Sequence, residues 1–243
     1  MRGSLPVILV LGMLVSGCTD DGSATTTMTA ADATTTTANA TTSTTTEPPT
    51  TTTTTEPPPG NDPACLKRAH FGEPAESDYI LPYPVGEGYY VTQSYCTTGV
   101  NASHGDQLAY DFYMPVGSEL VAARGGWVRR MRETSPDTGR GYAMENYIYI
   151  EHADGTVAFY AHLMQQGVDV EVGQWVDQGE HIGYSGNSGR TGDMPHLHFG
   201  VYRAMPMYEE MGVAVSFRNA DGPLDTLGGL VENRRYTALP WQA

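Results

Sequence analysis

The chain is 243 residues long and strongly acidic, with 13 Lys and Arg against 28 Asp and Glu for a formal net charge of -15. Residues 61–243 keep the imbalance, 12 basic against 23 acidic, which argues against nucleic acid as a partner. The excess acid is read as a solubility device and not as the mark of a cationic substrate.

At the amino terminus, Leu5 to Val15 is an apolar run behind Arg2 and ahead of Ser16-Gly17-Cys18. It falls short of the ~20 apolar residues a spanning helix needs, so residues 1–18 read as a signal peptide. Val15-Ser16-Gly17-Cys18 resembles the bacterial lipobox. That resemblance implies export, a lipid on the Cys18 thiol after cleavage, and a mature terminus held in a bacterial membrane, facing the cell wall. Residues 19–62 are almost entirely Thr, Ala, Ser, Pro and a few acids, with Thr-Thr-Thr-Glu47-Pro-Pro echoed by Thr-Thr-Thr-Glu56-Pro-Pro-Pro. Nothing there can offset the entropy of ordering, so a disordered tether is expected. As a flexible coil it would average about 35 Å end to end.

Residues 63–243 suffice for one domain with a substantial core, its centre at about residues 80–220. With Cys18 assigned to lipid, an exported chain most economically joins Cys65 and Cys96 in one disulfide, tying the start of the domain to the segment before His104. Alternating or β-branched runs bounded by Gly, Pro and Asp recur at 89–95, 120–128, 147–152, 156–160, 168–172, 181–184 and 198–202. No long 3.6-period stretch interrupts them. The fold is therefore expected to be all-β, a compact antiparallel sandwich or partly open barrel. Asp154-Gly155 between two runs signals a hairpin, and places His162 just beyond its returning strand. The basic cluster Arg129-Arg130-Met131-Arg132 reads as a solvated strand end.

The chemistry-bearing residues are His104, Asp111 and the pair His196-Leu197-His198. Catalytic zinc takes three N/O ligands and leaves a fourth position open, so two His and one Asp are the right number and kind of donor. Residues i and i+2 of a strand share a face, so His196 and His198 point together. They could bind one metal jointly, or one could bind while the other reaches the activated water. Spacing alone does not choose.

The segments Asp111-Phe-Tyr-Met-Pro-Val-Gly-Ser118, Val121 to Val128, Asn146 to Gly155, Tyr160-Ala-His-Leu163, Val172 to Gly179 and Pro195-His-Leu-His-Phe199 together resemble the lysostaphin/LytM-like zinc metallopeptidases. The resemblance covers roughly residues 80 to 220, six pieces in the family's order. It implies a compact antiparallel β scaffold, one Zn2+, and endopeptidase activity on the peptide stems or cross-bridges of peptidoglycan by a monomeric enzyme. It also implies that His104, Asp111 and His198 are the ligands, with His196 and His162 flanking the water. Two departures stand out. Six residues separate His104 from Asp111 where many relatives have three, which makes Asp106 a rival ligand, although Asp111 has the family context. The loop Gly189 to Pro195 is about one residue longer than usual.

Competing readings are weaker. His70, His152 and His181 are expected to be structural. A cupin-like site would follow H-x-H closely with a Glu and a later His, and neither occurs. The Val172 to Gly183 segment looks like a lipoyl or biotinyl hairpin, but its chemistry needs a lysine and the chain has only Lys67. The stronger rival is a catalytically silent wall-binding module or amidase activator of the same fold.

Overall fold

The strand His196–Tyr202 (β10) is buried along its whole length, and its side chains divide by parity. Leu197, Phe199 and Val201 enter the hydrophobic core, while His196 and His198 alternate with them towards the other face. The computed structural model describes residues 61–98, 104, 107–140, 144–208 and 211–242. The expected signal segment, Cys18, the tether as far as residue 60 and Asp106 lie outside the described residues.

Among the described residues the helical elements are short, Pro63–Leu66 (α1) and a 3-10 turn at Pro74–Glu76. Asp62 caps α1, its Oδ1 accepting from the Ala64 and Cys65 amides at 2.8 and 2.7 Å, which satisfies donors that a helix start leaves open. The strands are Gly88–Gln93 (β1), Ala109–Tyr113 (β2), Glu119–Val121 (β3), Gly126–Arg132 (β4), Tyr147–Glu151 (β5), Val157–Ala161 (β6), Leu163–Val168 (β7), Trp175–Val176 (β8) and His181–Ser185 (β9). After β10 come Gly212–Val213 (β11), Ala220–Asp221 (β12) and Arg235–Ala238 (β13).

They form two antiparallel sheets. The larger has ten strands in the order β12-β13-β1-β2-β10-β6-β5-β4-β8, with β11 also on β10; the smaller is β3-β9-β7. Leu120, Leu163 and Ile182 from the smaller sheet join Phe112, Ile148, Ile150, Leu197 and Phe199 from the larger in one core. Full burial of each such side chain contributes about 1.5–3 kcal/mol. The all-β expectation holds, and Cys65 is bonded to Cys96.

The Asp154-Gly155 hairpin is present, with β5 and β6 paired from Tyr147↔Ala161 to Glu151↔Val157. Several strand expectations need correction. The run 120–128 is two strands in different sheets. At Gly126 a Cβ would sit 2.4 Å from the Glu151 carbonyl oxygen, so the chain crosses between sheets where only glycine permits that approach. The run 168–172 is not a strand beyond Val168; β7 lies earlier, pairing with β9 at Leu163↔Ser185 and Val168↔Gly183, and the intervening Met164-Gln-Gln-Gly167, which carries no strand signal, sits in an irregularity of that ladder. Strand β2 escapes an alternation search because four of its five positions are buried, as in a fully covered central strand.

Candidate metal centre

The register of β2, β10 and β6 assembles the site. His198 pairs directly with Asp111 on β2 and with Ala161 on β6, while His196 pairs with Tyr113. Directly opposed residues share a face with Cβ atoms about 4.5–5.5 Å apart, so Asp111 and His198 meet without help from any loop. His104 arrives from the segment between β1 and β2.

Three donor atoms converge. Asp111 Oδ1 lies 3.0 Å from His198 Nδ1 and 3.2 Å from His104 Nε2. The two ring nitrogens are 3.2 Å apart. Donors about 2.0–2.1 Å from a tetrahedral ion are about 3.3 Å from one another, so the triangle matches three corners of such a shell. Its chemistry demands a cation as well. His104 Nδ1 donates to the Ser94 carbonyl at 3.1 Å, which turns Nε2 towards a carboxylate oxygen and a second imidazole. Only protons or a metal ion reconcile three acceptors at that distance. Among the described residues, this is the one group of three or more His, Cys, Asp or Glu side chains placed to hold a metal ion.

The surroundings are dry, with His104 1% and Asp111 4% exposed. Burial works to raise the Asp111 carboxyl, but the charge and hydrogen bonds of His104, then His198 and His196, hold it well below the usual carboxylate range. Burial pushes His198 down, against the pull of Asp111, so its ring stays neutral and ligand-ready.

Two further imidazoles line the same spot. His196 Nδ1 donates to the Met194 carbonyl at 2.7 Å and its Nε2 stands 3.6 Å from Asp111 Oδ2. His162 Nδ1 donates to the Ser188 carbonyl at 2.9 Å, and its ring centroid is 4.6 Å from that of His196. Both rings therefore donate through Nδ1 to the backbone and leave Nε2 for the site. Burial, then the neighbouring His196 and His198, lower His162 to about 3, which keeps it neutral at pH 7. His162 sits in the one-residue gap between β6 and β7 with φ of 64°. A non-glycine residue in that region costs about 1–2 kcal/mol, and the kink breaks the strand alternation where the ring must turn into the site.

The structure thus brings together all five residues singled out in the sequence: His104, Asp111, His162, His196 and His198. It keeps the three dismissed histidines apart. His152 Nδ1 donates to the Gly125 carbonyl at 2.9 Å, and burial lowers its pKa to about 4. His181 bridges Glu119 and Asp169 at 3.2 and 2.8 Å, and His70 is exposed.

Sequence reasoning missed Gln93. Its Nε2 donates to Asp111 Oδ2 at 3.0 Å and its Oε1 accepts from the His104 amide at 3.1 Å. One side chain thereby grips both the carboxylate and the distant first histidine, which bears on the long His104 to Asp111 spacing. The backbone carbonyls of Ser94, Met194 and Ser188, which set the tautomers, left no signal either. Only the pairing Gln93↔Asp111 reveals the role.

A family profile described as Peptidase family M23 matches residues 105–212. The match includes Asp111, His162, His196 and His198 and begins one residue after His104. Among curated proteins, the peptidoglycan DD-endopeptidases ShyA and ShyC of Vibrio cholerae are 39% and 38% identical over 90 residues, 37% of this chain. Those residues span 18% of either relative's length. Among solved structures, the catalytic domain of the antimicrobial peptidase lysostaphin from Staphylococcus simulans is 26% identical, with a TM-score of 0.38, over 52% of this chain and 86% of that one.

Proposed function

From residues 105–212 as a Peptidase family M23 domain, we propose a zinc-dependent endopeptidase that hydrolyses peptide bonds in peptidoglycan cross-links. The observation that carries the reading is the triangle of Asp111 Oδ1, His198 Nδ1 and His104 Nε2, with donor separations of 3.0–3.2 Å, flanked by the imidazoles of His196 and His162. The peptidoglycan substrate is supported by the likeness to ShyA and ShyC, which are peptidoglycan DD-endopeptidases. Zinc is supported by the donor set, two imidazoles and one carboxylate without a thiolate.

His104, Asp111 and His198 would hold the ion, which when bound supplies a Lewis acid that acidifies a water towards a pKa of ~7 and polarises the scissile carbonyl. The chain's own residues do the rest. His196 and His162 each hold Nδ1 on a backbone carbonyl and keep Nε2 for the site, so one takes a proton from the attacking water. The protonated ring then delivers it to the leaving amine. The other ring orients the water or donates to the oxyanion once it carries a proton. No nucleophilic side chain is needed. Met194 and Ser188 carbonyls keep both rings in the working tautomer throughout.

On this reading the protein is an exported monomer, tethered through lipid on Cys18 and the Thr/Pro-rich segment to a bacterial membrane facing the cell wall. Incubation of the zinc-loaded chain with purified cross-linked peptidoglycan, followed by mass analysis, tests the activity and names the bond. New amino termini that vanish with chelator are expected. Absence of released peptides, with no zinc retained, would leave the catalytically silent binding module.

A further inference from the structure

The face that carries the metal centre continues past it. Residues opposed across an antiparallel ladder share a face, and the register strings Gln93, Asp111, His198, Ala161, Tyr147 and Arg132 into one row from β1 to β4. Beside it runs a second row, Gly200, Phe159, Tyr149 and Arg130. The intervening residues Leu197, Phe199, Ile148 and Ile150 are buried in the core, so both rows lie on the opposite face.

Small Ala161 separates His198 from the first ring. Beyond it Tyr147 and Tyr149 stack with centroids 4.7 Å apart, and Phe159 lies 5.0 Å from Tyr149 and 5.6 Å from His198. All three rings are half-buried, leaving an amphipathic strip that ends at two guanidinium groups. The third arginine of this cluster is already taken, Arg129 Nε donating to Glu151 at 2.5 Å. Among the described residues Arg130 and Arg132 have no carboxylate partner, and Arg132 Nε donates only to the Ser135 hydroxyl at 3.2 Å. In a chain of net charge -15, two uncompensated cations on this face are out of keeping with a mere solubility role. A strand spacing of about 4.8 Å puts β4 about 14 Å from β10, the span of about four residues of extended peptide.

We infer that Tyr147, Tyr149 and Phe159 with the guanidiniums of Arg130 and Arg132 form a substrate subsite for a peptide bearing a free carboxylate about four residues from the scissile bond. The inference rests on the peptidase reading above and adds the charge of the substrate it selects. The planar guanidinium fork pairs two donors with a carboxylate, and the rings offer apolar surface to the intervening chain. Arg130 and Arg132 sit at the solvated end of β4, as expected from the sequence, and the subsite would give that end a binding role.

The test compares a synthetic cross-linked stem peptide with free carboxylates against the same peptide with those carboxylates amidated. Turnover is measured with the intact zinc-loaded chain, and binding by calorimetry in the His196→Ala background. The Arg130→Gln/Arg132→Gln double variant should raise KM and Kd for the free acid roughly tenfold or more. It should keep kcat, and it should leave the amidated peptide almost unaffected. Lysine at both positions should restore part of the affinity as a point charge. Equal affinity of the double variant and the parent for the free acid, or no preference by the parent, overturns the subsite. A parent that cleaves neither peptide, yet prefers the free acid through these arginines, would refute the peptidase reading and keep the subsite.

Discussion

Four imidazoles surround one carboxylate, and for three of them a backbone carbonyl decides which nitrogen faces inward. Ser94, Met194 and Ser188 carbonyls accept from Nδ1 of His104, His196 and His162, so neighbours in sequence can hold different duties. His198→Ala should abolish both metal retention and activity. His196→Ala should retain the metal while turnover falls by about 10²–10⁴, the usual range for loss of a general base; elemental analysis beside kinetics separates the two. His162→Asn is expected to lose activity to a similar degree yet stay within about 1 kcal/mol of parental stability, because Asn tolerates the left-handed backbone. A urea titration checks it. Gln93→Ala, which frees both Asp111 and the His104 amide, should weaken zinc affinity about 10–100-fold, read by competition with a chromogenic chelator. The five residues that the structure brings together were all named from the sequence, their division of roles only through the family resemblance. Gln93 was not, since its role exists only through strand pairing across β1 and β2.

Among the elements, β10 was the most legible, since its apolar positions repeat every second residue and the strand, His196–Tyr202, contains the whole run 198–202 and starts two residues before it. Its partner β2 was the least, although it carries the carboxylate. A central strand covered on both faces loses the alternation that marks a half-buried one. Cys65–Cys96 closes a separation of 31 residues and lies two residues from Ser94, whose carbonyl orients His104. Breaking it by Cys65→Ser/Cys96→Ser should cost about 3–4 kcal/mol from the freed unfolded chain. Thermal melts would show the loss, and a drop in metal affinity would accompany it as the Ser94 carbonyl loosens.

At the scale of the molecule, acid should weaken the fold through a residue remote from catalysis. His152 is held neutral in the fold, with a pKa of about 4 set chiefly by burial, against ~6.5 when unfolded. The unfolded chain therefore binds the proton first. The stability from this residue is complete above about pH 6.5 and is lost as pH falls towards 4, by about 3 kcal/mol in all. Urea midpoints at pH 7.5 and 4.5 should differ less in His152→Gln than in the parent; an equal difference would exclude His152 as the cause. Tethering makes its own demand. Cys18→Ala should release the protein from membranes while leaving kcat/KM on soluble peptidoglycan fragments unchanged.

The division of roles among the histidines was expected only from the family resemblance; by itself the sequence determined the all-β class, the Cys65–Cys96 pairing and the hairpin at Asp154-Gly155. These depend on local periodicity, turn chemistry and residue type, which a linear chain displays. Tertiary structure alone decided what crosses between strands: the opposition of Asp111 and His198, the grip of Gln93, the tautomer of each ring, and the row that carries Arg132 into line with the metal centre. Register between strands distant in sequence is set by packing of the whole sheet, and no local pattern records it.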